Sequence, residues 1–262
     1  MGTRMDPQRL FVGIRDKRTV ETLQLHFTVL RPNRRVLRAR RRRPLLHQRY
    51  KDILFLMISK ATLPGYWFHR FVINPKARNG SGLHLHLGCG PKYLQGFVNI
   101  DANPLRKIDL WLDVRNGLPF RSDSVDSIYS THVLEHLYPD ELRNVLCESA
   151  RVLKRGCGTR IVVPSLSNAI LAYNHKNVEW FSQFPRHYES LGGRFSNFIF
   201  CDGQHRTAFD CDYMREMLSS AGFSEVVEVR EGESRLYGAN VPRYELEDGS
   251  NLPHSLYIEA FK

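Results

Sequence analysis

No apolar run in this 262-residue sequence approaches the ~20 residues a helix needs to cross a bilayer. The longest, Ile53 to Ile58, has six residues between Asp52 and Ser59. A chain built on membrane-spanning helices is therefore excluded. No secretory leader is expected here either, because Arg4, Asp6, Arg9, Arg15, Asp16 and Lys17 leave no uncharged apolar stretch. The five cysteines are odd in number and contain no C-x-x-C pair, which excludes a disulfide framework and a zinc ribbon. The expected setting is a reducing cytoplasm. Acidic residues are scarce at one end only: residues 1–80 hold 4 Asp+Glu against 19 Lys+Arg, whereas residues 81–262 hold 23 against 19. A basic extension is thus joined to a slightly acidic body, and an anionic partner would concern the extension alone.

The extension centres on residues 31–43, which carry eight arginines in thirteen positions. So dense a run repels itself and cannot be buried, and it reads as a solvated arm that meets nucleic acid, an anionic membrane surface or the acidic body of its own chain. Leu23, Leu25, Phe27 and Val29 alternate as in a short strand. Leu46, Tyr50, Ile53, Leu54, Met57 and Ala61 recur at helical spacing up to Pro64-Gly65, a stripe expected to pack on the neighbouring domain. Residues 75–82 read as a linker, so the expected division is an extension at 1–80 and a domain at 81–262.

From Leu83 onward, short apolar runs alternate with amphipathic helices, the pattern of a doubly wound, mostly parallel α/β sheet. Seven strands are expected: Leu83–Leu87, Phe97–Ile100, Asp109–Asp113, Val125–Ser130, Arg160–Val163, Glu225–Val229 and Ser255–Phe261. Leu142, Val145, Leu146, Ser149 and Leu153 mark one helix face closed by Gly156, and Met214, Met217, Leu218 and Ala221 mark another closed by Gly222. Ligands of such sheets bind beyond the carboxyl ends of the strands. There the sequence puts Gly88-Cys89-Gly90, Asp101, Asp113 and the segment Thr131 to His136. A dinucleotide fingerprint fails, because Tyr93 stands at its third glycine and only nine residues, Gly88 to Gly96, separate the first two strands. Hydride transfer from a nicotinamide is disfavoured accordingly.

Taken together, LHLHLGCG, NIDANP, LDVRNGLPFRSDSVDSIYSTHVLEHL, ESARVLKRG, RIVVP and the later QHRTAFD resemble class I S-adenosylmethionine-dependent methyltransferases, in particular a small bacterial type-11-like group. The resemblance covers residues 83–261. It implies a Rossmann-like methyltransferase fold and S-adenosylmethionine as cofactor. Gly88, Cys89 and Gly90 would line its methionine moiety, and Asp101 would accept from the ribose hydroxyls. Asp113 and Val114 would meet the adenine, and Thr131 and His132 would face the sulfonium. The departures are a truncated first crossover and LKRGCG where LKPGG is usual.

Methyl transfer to an oxygen gains from a base near neutral pKa, for which His132, His136 and His205 are the candidates, with Asp202 behind them. The expected site holds no metal. On a helix, however, His132, Glu135 and His136 would share a face, so a divalent ion there, with His205 as a later ligand, stands as an alternative. The same H-x-x-E-H spacing also matches inverted zinc peptidases, a hydrolase reading that its place after the fourth strand opposes. Residues 165–208 are too long for a plain connection and are expected to cover the substrate; their many aromatics would stack on a ring or form a satellite core. The expected acceptor is a sugar, a glycan precursor or a small metabolite. The rivals are RNA held by the arginine arm, or a non-catalytic adaptor that binds cofactor.

Overall fold

A computed structural model describes residues 48–71, 82–242 and 252–262. The arginine run, the alternating segment at 23–29 and most of the expected linker lie outside them. One compact unit runs from Leu46 to Lys262. Its sheet has seven strands in the order β3-β2-β1-β4-β5-β7-β6. In chain order these are β1 His84–Leu87, β2 Val98–Asp101, β3 Leu110–Trp111, β4 Val125–Thr131, β5 Leu153–Pro164, β6 Glu225–Val229 and β7 Ser255–Phe261. The first five strands pair in parallel, and β7 runs antiparallel to both β5 and β6. The central strands are buried on both faces, which is why they read as apolar runs in the sequence.

The helices are α1 Gln48–Phe71, α2 Pro139–Val152, α3 Leu166–Asn174, α4 Leu191–Phe200 and α5 Cys211–Ser220. Leu142, Val145 and Leu146 of α2 and Met214 and Leu218 of α5 enter the main core against the sheet. Gly222 follows α5 with φ of 102°, a left-handed conformation suited to glycine. Gly156 does not close α2 as expected. The helix stops at Val152, and residues 153–164 form a strand whose pairing with β4 shifts between Val125 and Ser127. Gly156 lies within that irregular stretch, with φ of 75°.

The truncated connection from β1 to β2 contains no helix; the side chain of Asn99 organises it instead. Its Oδ1 accepts from Leu94 N at 2.8 Å, and its Nδ2 donates to Leu94 O, Phe97 O and Asp109 Oδ2 at 2.9–3.0 Å. A fully buried amide thus supplies the loop's backbone partners, a task a helix ladder would otherwise perform. A further correction concerns α1, which continues through Pro64 and packs the other way round. Ser59, Thr62 and Tyr66 are buried, while Tyr50, Ile53, Leu54 and Met57 are exposed. Polar anchoring decides the orientation: Asn116 Nδ2 donates to Ser59 O at 2.8 Å and to Thr62 Oγ1 at 3.1 Å.

In segment 165–208, Ala169, Ala172, Trp180 and Phe181 form a separate small core, with Phe195 and Phe198 packed against it. All five cysteines are free thiols. Among the described residues no helix is long and apolar enough to cross a membrane.

Candidate functional site

A cavity of about 750 Å³ opens beyond the carboxyl ends of β1, β2 and β4. The strand order reverses between β1 and β4, so this is the switch point at which a doubly wound sheet leaves a crevice. Of the sequence-predicted positions, Gly88, Gly90, Asp101, Asp113, Val114, His132 and His136 line the cavity. Cys89 and Thr131 are buried beside it, and His205 stands behind His136.

The glycines after β1 have separate reasons. Gly88 has φ of 60°, and a Cβ there would lie 2.4 Å from a Val133 methyl. Gly90 has φ of 52°, and a Cβ there would meet nothing within 4 Å. Gly88 therefore lets two protein segments approach, whereas Gly90 keeps cavity space clear for a ligand. Burial, with help from the charges of Asp101 and Asp109, pushes the Cys89 thiol up to about 11, so it is no nucleophile.

The carboxylate of Asp101 is held by two backbone donors, Gly90 N at 2.8 Å and Asn103 N at 2.7 Å. It thereby ties the glycine turn after β1 to the end of β2. Asp113 is gripped by Arg115, whose Nε lies 3.0 Å from both carboxylate oxygens and whose Nη2 lies 2.7 Å from Oδ2. Burial opposes the ionisation of Asp113, but the Arg115 hydrogen bonds and charge outweigh it and hold the carboxyl below its usual range. Arg115 also reaches Glu141 at 3.3 Å.

His132 is not helical. It has φ of 54°, and the following 3₁₀ turn covers only Leu134–His136. The helical face expected for His132, Glu135 and His136 does not form. His132 Nδ1 instead turns back to 3.3 Å from Glu135 Oε1, leaving its ring half-exposed at the cavity wall while Glu135 is buried. His136 packs against His205, ring centroids 5.1 Å apart. Burial lowers the His205 pKa, so its imidazole is neutral at pH 7. Asp202 lies away from this group, paired with Arg186 at 2.7 Å.

Residues 99–161 match the family profile of a methyltransferase domain. The chain carries a class I S-adenosylmethionine-dependent methyltransferase domain. No curated protein matches it. Similar solved structures include a SAM-dependent methyltransferase from Archaeoglobus fulgidus, with 14% identity, coverage of 79% of this chain and 99% of that one, and a TM-score of 0.43. Another is a possible histamine N-methyltransferase from Thermotoga maritima, at 14% identity, 81% and 95% coverage and a TM-score of 0.42. A third, a methyltransferase from Mesorhizobium loti, gives 16%, 76% and 98%, and 0.42. The methyltransferase cavity suits S-adenosylmethionine: Gly90 leaves the space a cofactor would fill, and two carboxylates stand at successive strand ends.

Arg115, Glu141, Gln204, Arg206 and Leu56 also line the methyltransferase cavity and were not anticipated. Arg115 was readable in principle, since a basic residue two places after a strand-end aspartate is placed to pair with it. Leu56 carries no such signal, because its position depends on which way α1 faces.

Proposed function

We propose that this methyltransferase methylates a hydroxyl oxygen of a sugar, glycan precursor or small metabolite, with His132 as general base. The observation that carries the reading is the His132–Glu135 pair at the cavity wall. With Nδ1 turned to a buried carboxylate, the imidazole is held in the tautomer whose Nε2 can take a proton, and the imidazolium that forms is stabilised. Gly88 and Gly90 bring backbone close to the methionine moiety, with Cys89 between them and Thr131 near the sulfonium. Asp101 takes the ribose hydroxyls, and Asp113 and Val114 take the adenine. The bound cofactor supplies a methyl group on a sulfonium, already a good leaving group. The protein's share is to align the acceptor oxygen, exclude water and receive the hydroxyl proton at His132. Residues 31–43 serve an anionic partner, nucleic acid or a membrane surface, through charge alone.

Calorimetric titration of S-adenosylmethionine into wild type, Asp101→Ala and His132→Ala tests the assignment, followed by labelled-methyl transfer to glycan, metabolite and RNA pools. Asp101→Ala should weaken cofactor binding by about 100-fold or more, since two charge-assisted hydrogen bonds are lost. His132→Ala should keep cofactor affinity and lose about 10²–10⁴ in transfer. Cofactor binding with no labelled acceptor in any pool would favour the adaptor. Label in RNA, with binding that falls steeply as salt rises, would replace the small acceptor.

A further inference from the structure

The cavity wall contains an arrangement that methyl transfer does not require. Glu135, His136 and His205 each offer one ligand atom, and the three atoms lie within 4.8 Å of one another. Hydrogen bonding fixes what those atoms are. His136 Nδ1 lies 3.2 Å from Gln204 O, and His205 Nδ1 lies 3.0 Å from Ile199 O. A carbonyl only accepts, so each Nδ1 carries a hydrogen, and Nε2 is the ring atom left to act as a ligand. Glu135 Oε2 is buried and has no hydrogen-bond partner, although the other oxygen of the same carboxylate meets His132. Two ring nitrogens and one buried, unpartnered carboxylate oxygen thus converge, an arrangement that a cation would satisfy.

The backbone holds the group together. Glu135 O accepts from both Arg206 N at 2.7 Å and Thr207 N at 3.2 Å, and Thr207 Oγ1 donates to Leu137 O at 2.8 Å. These bonds fasten the turn after β4 to residues 204–207, so the approach of His136 to His205 is built into the fold.

We infer that Glu135, His136 and His205 form a divalent metal site. The donor set of two imidazoles and one carboxylate suits a first-row ion such as Zn²⁺, Fe²⁺, Co²⁺ or Mn²⁺ over Ca²⁺ or Mg²⁺. The Nδ1–H bonds to backbone carbonyls are the outer contacts by which metal-binding histidines are oriented. Bonds of about 2.0–2.2 Å in a tetrahedral site put ligand atoms about 3.4 Å apart. Small side-chain rotations close the remaining gap once an ion is bound. His136 also lines the cavity, so an ion held there would stand beside the space an acceptor would occupy. There the ion would hold an acceptor hydroxyl beside His132, a role that rests on the O-methylation reading, whereas the site itself does not.

The test uses the full, untagged chain, freed of metal with chelator and measured without cofactor or acceptor. Co²⁺ is titrated with visible absorption as the readout, and Zn²⁺ and Mn²⁺ by calorimetry. Wild type should take up one equivalent, with d–d bands of nitrogen and oxygen ligation. His136→Ala and His205→Ala should weaken uptake at least about 100-fold, while His175→Ala, at an exposed histidine just past the end of α3, should leave it unchanged. His136 is exposed, so its replacement keeps the fold even if that of His205 does not. Absence of uptake by folded wild type, or equal uptake by wild type and His136→Ala, would overturn the site. Because no methyl transfer is measured, failure of the acceptor assignment would leave this result standing.

Discussion

Replacing His86 with leucine should remove a defined part of the protein's acid sensitivity. His86 lies in the middle of β1, fully buried, with its ring 5.1 Å from that of Tyr129 and Nδ1 3.1 Å from Asn99 Oδ1. Its Nε2 has no partner. Burial lowers its pKa from 6.5 to about 4, and the Asn99 hydrogen bond only partly opposes that. The unfolded chain therefore binds this proton near pH 6.5, and the folded chain only near pH 4. Above pH 6.5 neither state binds it and stability is intact. As pH falls between the two values, the unfolded state gains the proton first and stability declines by up to about 1.4 kcal/mol per pH unit. The full effect is about 3 kcal/mol, of which about 2 kcal/mol falls between pH 7 and pH 5. Leucine has similar volume, and Asn99 Oδ1 keeps Leu94 N as a donor. Guanidinium unfolding of both proteins from pH 7.5 to pH 5 measures the difference. The gap between the two curves should change by about 2 kcal/mol over pH 7 to pH 5, with the variant flatter. Asp113 and Asp126, whose pKa values are lowered, lose their stabilising effect only at more acid pH and do not confuse the window. Parallel curves for wild type and His86→Leu would refute the reasoning.

Gly88→Ala should cost about 2–4 kcal/mol in denaturant unfolding, because left-handed strain adds to the clash with Val133. Gly90→Ala should cost only about 1 kcal/mol of stability yet weaken cofactor binding at least about tenfold, since its Cβ enters open cavity space. Glu259→Gln should lower stability by about 3–5 kcal/mol in the same assay, because it removes the buried carboxylate charge 2.9 Å from the fully buried Arg160. Asn99→Ala should cost about 2–4 kcal/mol and speed amide exchange at Leu94, whose N–H it accepts.

The strands were legible because a strand buried on both faces has to be written as a short apolar run. Their carboxyl ends then located Gly88, Gly90, Asp101 and Asp113 on the cavity. What misled was local chemistry with more than one use. Gly156 has the positive φ of a helix-closing glycine but spends it inside an irregular strand. The apolar stripe of α1 promised an inward face, yet Asn116, distant in sequence, anchors the opposite side. His132 and Glu135 meet only because His132 is left-handed, which no spacing rule encodes. His205 reaches His136 across sixty-nine positions of chain, and the sequence joined them only as candidate bases and as ligands of an alternative metal site.

The place of β7 between β5 and β6 has a consequence in time. β6 touches the sheet only through β7, and Glu259, which pairs with Arg160, is 99 residues further along the chain. At a synthesis rate of about 5–20 residues per second, β5 waits roughly 5–20 s with an open edge and with Glu259 not yet made. Throughout that interval the cavity-forming strands β1 to β4 are already made, so the nascent chain can complete its binding crevice before it can close its sheet.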